Sequence, residues 1–219
     1  VNLFMITNDS FYKENYIKSI QMYTDYFTLK SLGETFPVYI NFCMTNSFQE
    51  NQIIESILHD DEMEYFKSLK YERRINSFLL GRYASKKAVS ALIGEKNLKK
   101  ISIKNGVFNQ PVIVCESRNK VHVSITHCGD LGAAVAFSDL LLIGIDIESI
   151  GSCKKETFER VLTQNEKTLV HKIPYSYEEF LAMVWTIKES LSKVLKTGLT
   201  IPFSVLEVVD IEIYNEYCI

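Results

Sequence analysis

The chain has 219 residues, enough for one large domain or two small ones. With 47% apolar and 23% charged residues it has a globular composition, which excludes a disordered tail or a fibrous protein. A net charge of −3 without Lys/Arg blocks argues against a nucleic-acid partner, and the longest apolar runs, Leu131 to Phe137 and Leu140 to Ile147, are far short of the ~20 residues of a membrane span.

Five scattered cysteines (Cys43, Cys115, Cys128, Cys153, Cys218) form no CxxC pair, so a zinc ribbon or redox dithiol is not expected. With no basic-then-apolar leader, the reading is a reduced, soluble, cytoplasmic protein.

In chain order, Val1 to Thr7 alternates and reads as a strand. Tyr16, Ile20, Tyr23 and Phe27 are spaced three or four apart, which predicts an amphipathic helix over Phe11 to Leu32 ending at Gly33. Val38 to Met44 is rich in β-branched and aromatic residues and predicts a strand. Asp60 to Ile93 predicts one long helix capped by Gly94, with the acids Asp60, Asp61, Glu62 and Glu64 suited to its N-terminal dipole. Asn105-Gly106 marks a turn. Val121 to Ile125, Ala133 to Phe137 and Leu140 to Ile145 predict three strands. Helices are predicted over Glu156 to Lys172 and Tyr177 to Lys196, and a last strand over Phe203 to Ile213. Strands and helices mix without a βαβ rhythm, which predicts an α+β fold.

Four segments carry chemistry. Gly144-Ile145-Asp146-Ile147-Glu148 delivers two carboxylates two residues apart, on one side of an extended chain. Such a pair asks for a hard cation such as Mg²⁺; acids at a strand end entering solvent fit the same letters. In Trp185-Thr186-Ile187-Lys188-Glu189-Ser190, Glu189 is a candidate third ligand or general base, with Lys193 one turn on; a surface Glu–Lys pair is the plainer reading. His127, ending Ser124-Ile125-Thr126-His127-Cys128, suits a phosphate oxygen or a structural hydrogen bond. Arg73, Arg74, Arg82, Lys86 and Lys87 lie along one helix, as a solvated face or an anion site. No GxGxxG, GxxxxGK[ST], HExxH or GxSxG motif occurs.

Taken in order, Phe78-Leu79-Leu80-Gly81-Arg82, Gln110-Pro111, Val123-Ser124-Ile125-Thr126-His127, Gly144-Ile145-Asp146-Ile147-Glu148 and Trp185-Thr186-Ile187-Lys188-Glu189-Ser190 resemble the Sfp-type 4′-phosphopantetheinyl transferases, over about Val38 to Val208. Glu166 also resembles the family's intervening helix. The resemblance implies a pseudo-dimer of two similar α+β halves with the active site in the cleft between them. It implies an N-terminal extension of unknown role (1–36), a first half (37–140) and a second half (141–219). It implies transfer of phosphopantetheine from coenzyme A to a serine of an apo acyl or peptidyl carrier protein by a monomer, releasing adenosine 3′,5′-bisphosphate. Asp146, Glu148 and Glu189 would hold Mg²⁺, and Glu189 would serve as general base. Lys193 and Lys188 would stabilise pyrophosphate charge, His127 would contact a phosphate, and Arg74 and Arg82 the 3′-phosphate.

The sequence departs from the family pattern at several points. Many members have Gly-Lys-Pro where this chain has Asn109-Gln110-Pro111, which would either weaken coenzyme A binding or shift that phosphate contact to Lys104. Cys128 stands in place of a serine, and the chain stops soon after Val208, which implies an abbreviated second sheet. A non-catalytic binder of coenzyme A or carrier protein, and a metal-dependent phosphohydrolase using the same acids, are the competing expectations.

Overall fold

The computed structural model describes residues 16–17, 20–45, 51–115, 120–150 and 155–212. The chain divides into two compact units at Ile147 and Glu148. No helix among the described residues is long and apolar enough to cross a membrane. The predicted strand Val1 to Thr7 lies outside the described residues.

The unit that ends at Ile147 is α+β. Its strands β1 (Tyr16–Ile17), β2 (Ile20–Ser31) and β3 (Glu34–Met44) are followed by helices α1 (Asn51–Ile57), α2 (Asp60–Ser68) and α3 (Glu72–Ile93). A small hairpin, β4 (Ser102–Asn105) with β5 (Pro111–Val114), precedes β6 (Val121–Cys128) and β7 (Leu131–Ser138). The main sheet is antiparallel with strand order β1-β2-β3-β7-β6.

The described part of the predicted helix Phe11 to Leu32 is strand, not helix. Aromatic spacings of four residues satisfy a two-residue period as well as a helical one, and Tyr, Phe and Thr favour a pleated surface. β2 pairs with β3 from Gln21↔Met44 to Ser31↔Glu34, through a two-residue turn with Leu32 at φ 51° and Gly33 at φ 83°. Both positive φ values are what a tight hairpin of this hand requires.

The predicted helix Asp60 to Ile93 is two helices, because Leu69 (φ −74°, ψ 134°) and Tyr71 (φ −105°, ψ 126°) are extended. α3 ends on Gly94 at φ 74°, the left-handed cap expected of a glycine there. It lies on one face of the sheet, burying Leu79, Tyr83 and Ala84 with Cys43, Val123, Ala134 and Ala136. Two glycines mark the closest approach. A Cβ on Gly81 would meet Ile125 Cγ2 at 3.3 Å, and one on Gly132 would meet Leu80 O at 3.1 Å and Cys43 Sγ at 3.2 Å.

The other face of the sheet carries Val38, Val135, Phe137 and Leu141, with Leu29, Phe36, Ile143 and Ile145 packed against them. Alternation along β7 thus sends Ala134 and Ala136 to the helix and Val135 and Phe137 to this second layer. From Leu142 to Ser149 the chain makes no ladder, so the predicted strand over Leu140 to Ile145 is corrected. Its apolar side chains fold back over the sheet instead of extending it.

Among its described residues the second unit is helical: α4 (Lys155–Glu159), α5 (Gln164–Leu169) and α6 (Tyr177–Leu195). The predicted helix Glu156 to Lys172 breaks because Thr163 opens α5 with a reciprocal cap: its side chain accepts from Glu166 N, and Glu166 returns to Thr163 N. Ser176 and Glu179 open α6 the same way. α6 stops at Lys196, which takes φ 56° two residues before Gly198. The predicted strand Phe203 to Ile213 is a short 3₁₀ turn over Phe203–Leu206 followed by chain that joins no sheet, with Ile213 outside the described residues. Phe158, Leu162, Leu169, Phe180, Leu181, Val184 and Ile211 form the core of this unit.

Gly132→Ala pushes a methyl against backbone and a buried sulfur, neither of which can swing away. Chemical denaturation is expected to show a loss of about 1–3 kcal/mol, the usual cost of overpacking.

Candidate active site

The acidic segment is presented by hydroxyls. Ser124 and Thr126 alternate with Val123 and Ile125 along β6, so they point to the face opposite α3. There Ser124 Oγ accepts from Ile145 N at 3.1 Å, and Thr126 Oγ1 accepts from Ile147 N at 3.2 Å. Thr126 Oγ1 also donates to Asp146 Oδ1 at 2.9 Å. Two side chains therefore do what a strand ladder would have done, and Asp146 is held half-buried at the end of the arrangement. These hydroxyls were missed by the sequence reading. Their signal was present, a Ser-x-Thr alternation on a strand immediately before the histidine.

His127, next on β6, is exposed and by alternation shares the α3 side of the sheet with Val123 and Ile125. Arg74, in the first turn of α3, is exposed. Arg82 is mostly buried: its guanidinium lies 4.9 Å over the Phe78 ring, 3.4 Å from Glu62 Oε1, and Nη2 donates to Asn105 Oδ1 at 3.4 Å. Burial lowers its pKa and the Glu62 charge opposes that shift. Gln110, where the family resemblance led to the expectation of a lysine, closes the β4–β5 turn: Oε1 accepts from Phe108 N at 2.9 Å, and its carbonyl accepts from Gly106 N at 2.8 Å. Lys104 pairs with Asp61 at 2.8 Å on the surface, and that lysine holds the Asp61 carboxyl below its usual range.

In the second unit α6 carries Lys188, Glu189 and Lys193. Lys188 is fully buried, and its ammonium donates to Glu166 Oε2 at 2.8 Å, Val161 O at 3.0 Å and Phe203 O at 3.0 Å. Three donors meet three acceptors, so this side chain braces the unit and offers nothing to a pyrophosphate, which corrects the expectation drawn from sequence. Glu166 completes the brace by accepting from Val208 N at 2.8 Å and Thr163 N at 2.7 Å. Glu189, half-buried, and Lys193 lie one turn apart on the neighbouring face of α6. Trp185 packs, stacked 4.7 Å from Phe158 and tilted against Phe203 at 5.5 Å.

The first unit contains the same brace. Lys86, fully buried on α3, is ion-paired with Glu62 and donates to Ile57 O at 2.7 Å and Leu98 O at 3.2 Å. Glu62 accepts from Ile103 N at 2.9 Å and from His59 N at 2.9 Å, in a reciprocal cap at the start of α2. Burial lowers the Lys86 pKa, and Glu62 works against it. The acids Asp60, Asp61 and Glu62 are thus more than a dipole match, because Glu62 is a buried counter-ion. Each unit repeats a capping glutamate, a lysine on the following long helix, and two carbonyls with one amide from the flanking chain.

Among the described residues no group of three or more His, Cys, Asp or Glu side chains is assembled for a metal ion. The chemistry of the donors nevertheless fits Mg²⁺. Asp146 and Glu148 offer hard oxygens, the Asp146 carboxylate is already oriented by a hydroxyl donor, and Mg²⁺ commonly takes one or two carboxylates with waters and phosphates completing the shell.

The family model for the 4′-phosphopantetheinyl transferase superfamily matches residues 142–217, which contain both the Asp146–Glu148 segment and α6. The chain is 35% identical over 91 residues to a holo-[acyl-carrier-protein] synthase of Staphylococcus carnosus, covering 39% of this chain and 77% of the relative. It is 34% identical over 93 residues to the one of Bacillus subtilis, covering 39% and 76%. A crystal structure of a holo-(acyl-carrier-protein) synthase from Bacillus anthracis in complex with CoA (3′,5′-ADP) superposes with TM-score 0.43 at 26% identity, over 46% of this chain and 93% of that one.

Lys188→Met leaves Glu166 buried without its cation. Chemical denaturation is expected to show a loss of about 3–5 kcal/mol, as when one partner of a buried ion pair is removed, and Lys86→Met is expected to lose less, because Arg82 still faces Glu62 at 3.4 Å.

Proposed function

We infer that this chain, which belongs to the 4′-phosphopantetheinyl transferase superfamily, transfers the 4′-phosphopantetheine group of coenzyme A to a serine of an apo carrier protein. The observation that carries this reading is a sequence identity of 35% and 34% to two holo-[acyl-carrier-protein] synthases, over 77% and 76% of their length. In the reaction the serine Oγ forms a bond to the phosphorus that bears pantetheine. The bridging P–O bond of the pyrophosphate breaks, and adenosine 3′,5′-bisphosphate leaves.

The finer reading is an Sfp-type enzyme, a pseudo-dimer of two related halves acting as a monomer. The repeated Glu–Lys brace supports it, since two units sharing one set of buried polar bonds are what duplication of an ancestral half would leave. Asp146, Glu148 and Glu189 would supply oxygens to Mg²⁺, which neutralises pyrophosphate charge when bound. Glu189 would take the proton from the carrier serine as the Oγ–P bond forms. Lys193 would stabilise the charge that develops on the leaving phosphate, and no bond of Lys188 is left for that work. His127 and the exposed Arg74 would bind the phosphates of coenzyme A, with Arg82 aligned behind by Glu62 and Asn105.

Incubation with coenzyme A, Mg²⁺ and an apo carrier protein tests the reading by mass spectrometry. The carrier is expected to gain one phosphopantetheinyl group. Release of phosphopantetheine with an unmodified carrier would identify a phosphohydrolase, and no turnover of either kind a binder. Glu189→Gln is expected to lower transfer at least about 100-fold with an unchanged melting curve, in the range typical of a lost general base.

A further inference from the structure

We propose that Thr126 is a positioning residue that aims the Asp146 carboxylate at the divalent cation; the proposal rests on the reading above, in which Asp146 is a metal ligand. Thr126 is buried on β6, at 5% exposure, yet its hydroxyl is fully engaged by the acidic segment. The Ile147 amide donates to Oγ1 at 3.2 Å and so occupies one of its lone pairs. The hydroxyl proton turns to Asp146 Oδ1 at 2.9 Å. The backbone on one side of Asp146 and the carboxylate itself are therefore fixed by one atom.

That coupling has a consequence for the ion. The segment from Leu142 onward has no ladder partner, so its position depends on the apolar layer beneath it and on side-chain bonds such as these. Ser124 fixes Ile145 N and stops there. Thr126 alone of the two reaches the acid. A neutral hydroxyl holds one carboxylate oxygen without cancelling its charge, so the carboxylate stays a strong ligand while its rotation about the Cβ–Cγ bond is restrained. Groups that orient a metal ligand in this way typically contribute about 10–100-fold to metal affinity.

The test uses the full chain and Mn²⁺ alone, with the free ion followed by electron paramagnetic resonance, so it does not depend on turnover. Thr126→Val keeps the shape and removes the hydroxyl; it is expected to weaken Mn²⁺ binding about 10–100-fold. Thr126→Ser restores the hydroxyl and is expected to bind within about threefold of the unaltered chain. Thr126→Ala stands in for the valine variant if that chain does not fold. With Asp146→Asn as background, adding Thr126→Val is expected to change nothing further. Mn²⁺ binding by Thr126→Val or Thr126→Ala equal to that of the unaltered chain, or a serine variant as weak as the valine one, overturns the proposal while Asp146→Asn still loses the ion. If Asp146→Asn binds Mn²⁺ normally, the assignment of Asp146 as a ligand falls, and this proposal with it.

Discussion

A lysine ammonium sealed away from water must find three acceptors, and in each unit of this protein that requirement ties three pieces of chain together. Lys188 reaches the glutamate that caps α5, a carbonyl before it and a carbonyl after α6. Lys86 reaches the capping glutamate of α2, a carbonyl before that helix and one after α3. A buried charge costs several kcal/mol unless it is fully paired and hydrogen-bonded, so partial versions of the arrangement are strongly disfavoured. The outcome is a fixed register between a short capped helix, a long helix and the chain leaving it. Replacement by apolar side chains of similar volume would preserve packing but would not name the partners so narrowly.

The brace also decides which side chains of α6 turn inward and which lie on its flank. With Lys188 drawn inward beside Leu181 and Val184, the next residue is turned by about 100° around the axis. Glu189 is therefore carried to the flank of the helix, with Lys193 one turn further along the same flank. Adjacent residues of one motif thus part company: Lys188 glues the scaffold, while Glu189 is the one for which a ligand role is proposed. Trp185, held between Phe158 and Phe203, keeps the helix from rolling about its own axis.

Much of this was legible in the letters, and the failures have physical causes. β3, β6, β7, α6 and the glycine end of α3 follow from β-branched runs, alternation, amphipathic spacing and a left-handed cap. The β2 segment did not, because aromatic residues four apart fit both a helix and a pleated strand, and only the pairing partner decides. The break at Thr163 was written as a capping box, whose signal a continuous apolar period overrode. The buried roles of Glu62 and Lys188 were hidden because charged side chains at helical spacing read as surface until the burial of their neighbours is known. Acid and lysine in the candidate site could be recognised as types, whereas the exchange of Lys188 from ligand to brace needed coordinates.

The Leu142–Ser149 stretch differs from an ordinary strand in what holds its amides. A laddered strand satisfies its amides with carbonyls of a neighbour, and its side-chain directions are then set by the pleat alone. Here the amides of Ile145 and Ile147 are satisfied by Ser124 and Thr126 hydroxyls, which are donors as well as acceptors. A hydroxyl that has accepted from an amide still has a proton to give, and at Thr126 that proton goes to Asp146. A carbonyl in the same place could hold the backbone but could never hold the carboxylate. Substituting hydroxyls for a ladder therefore gives up regular sheet at this edge and gains an acid whose orientation is fixed before any ion or phosphate arrives, which is the condition under which charge stabilisation costs no reorganisation during reaction.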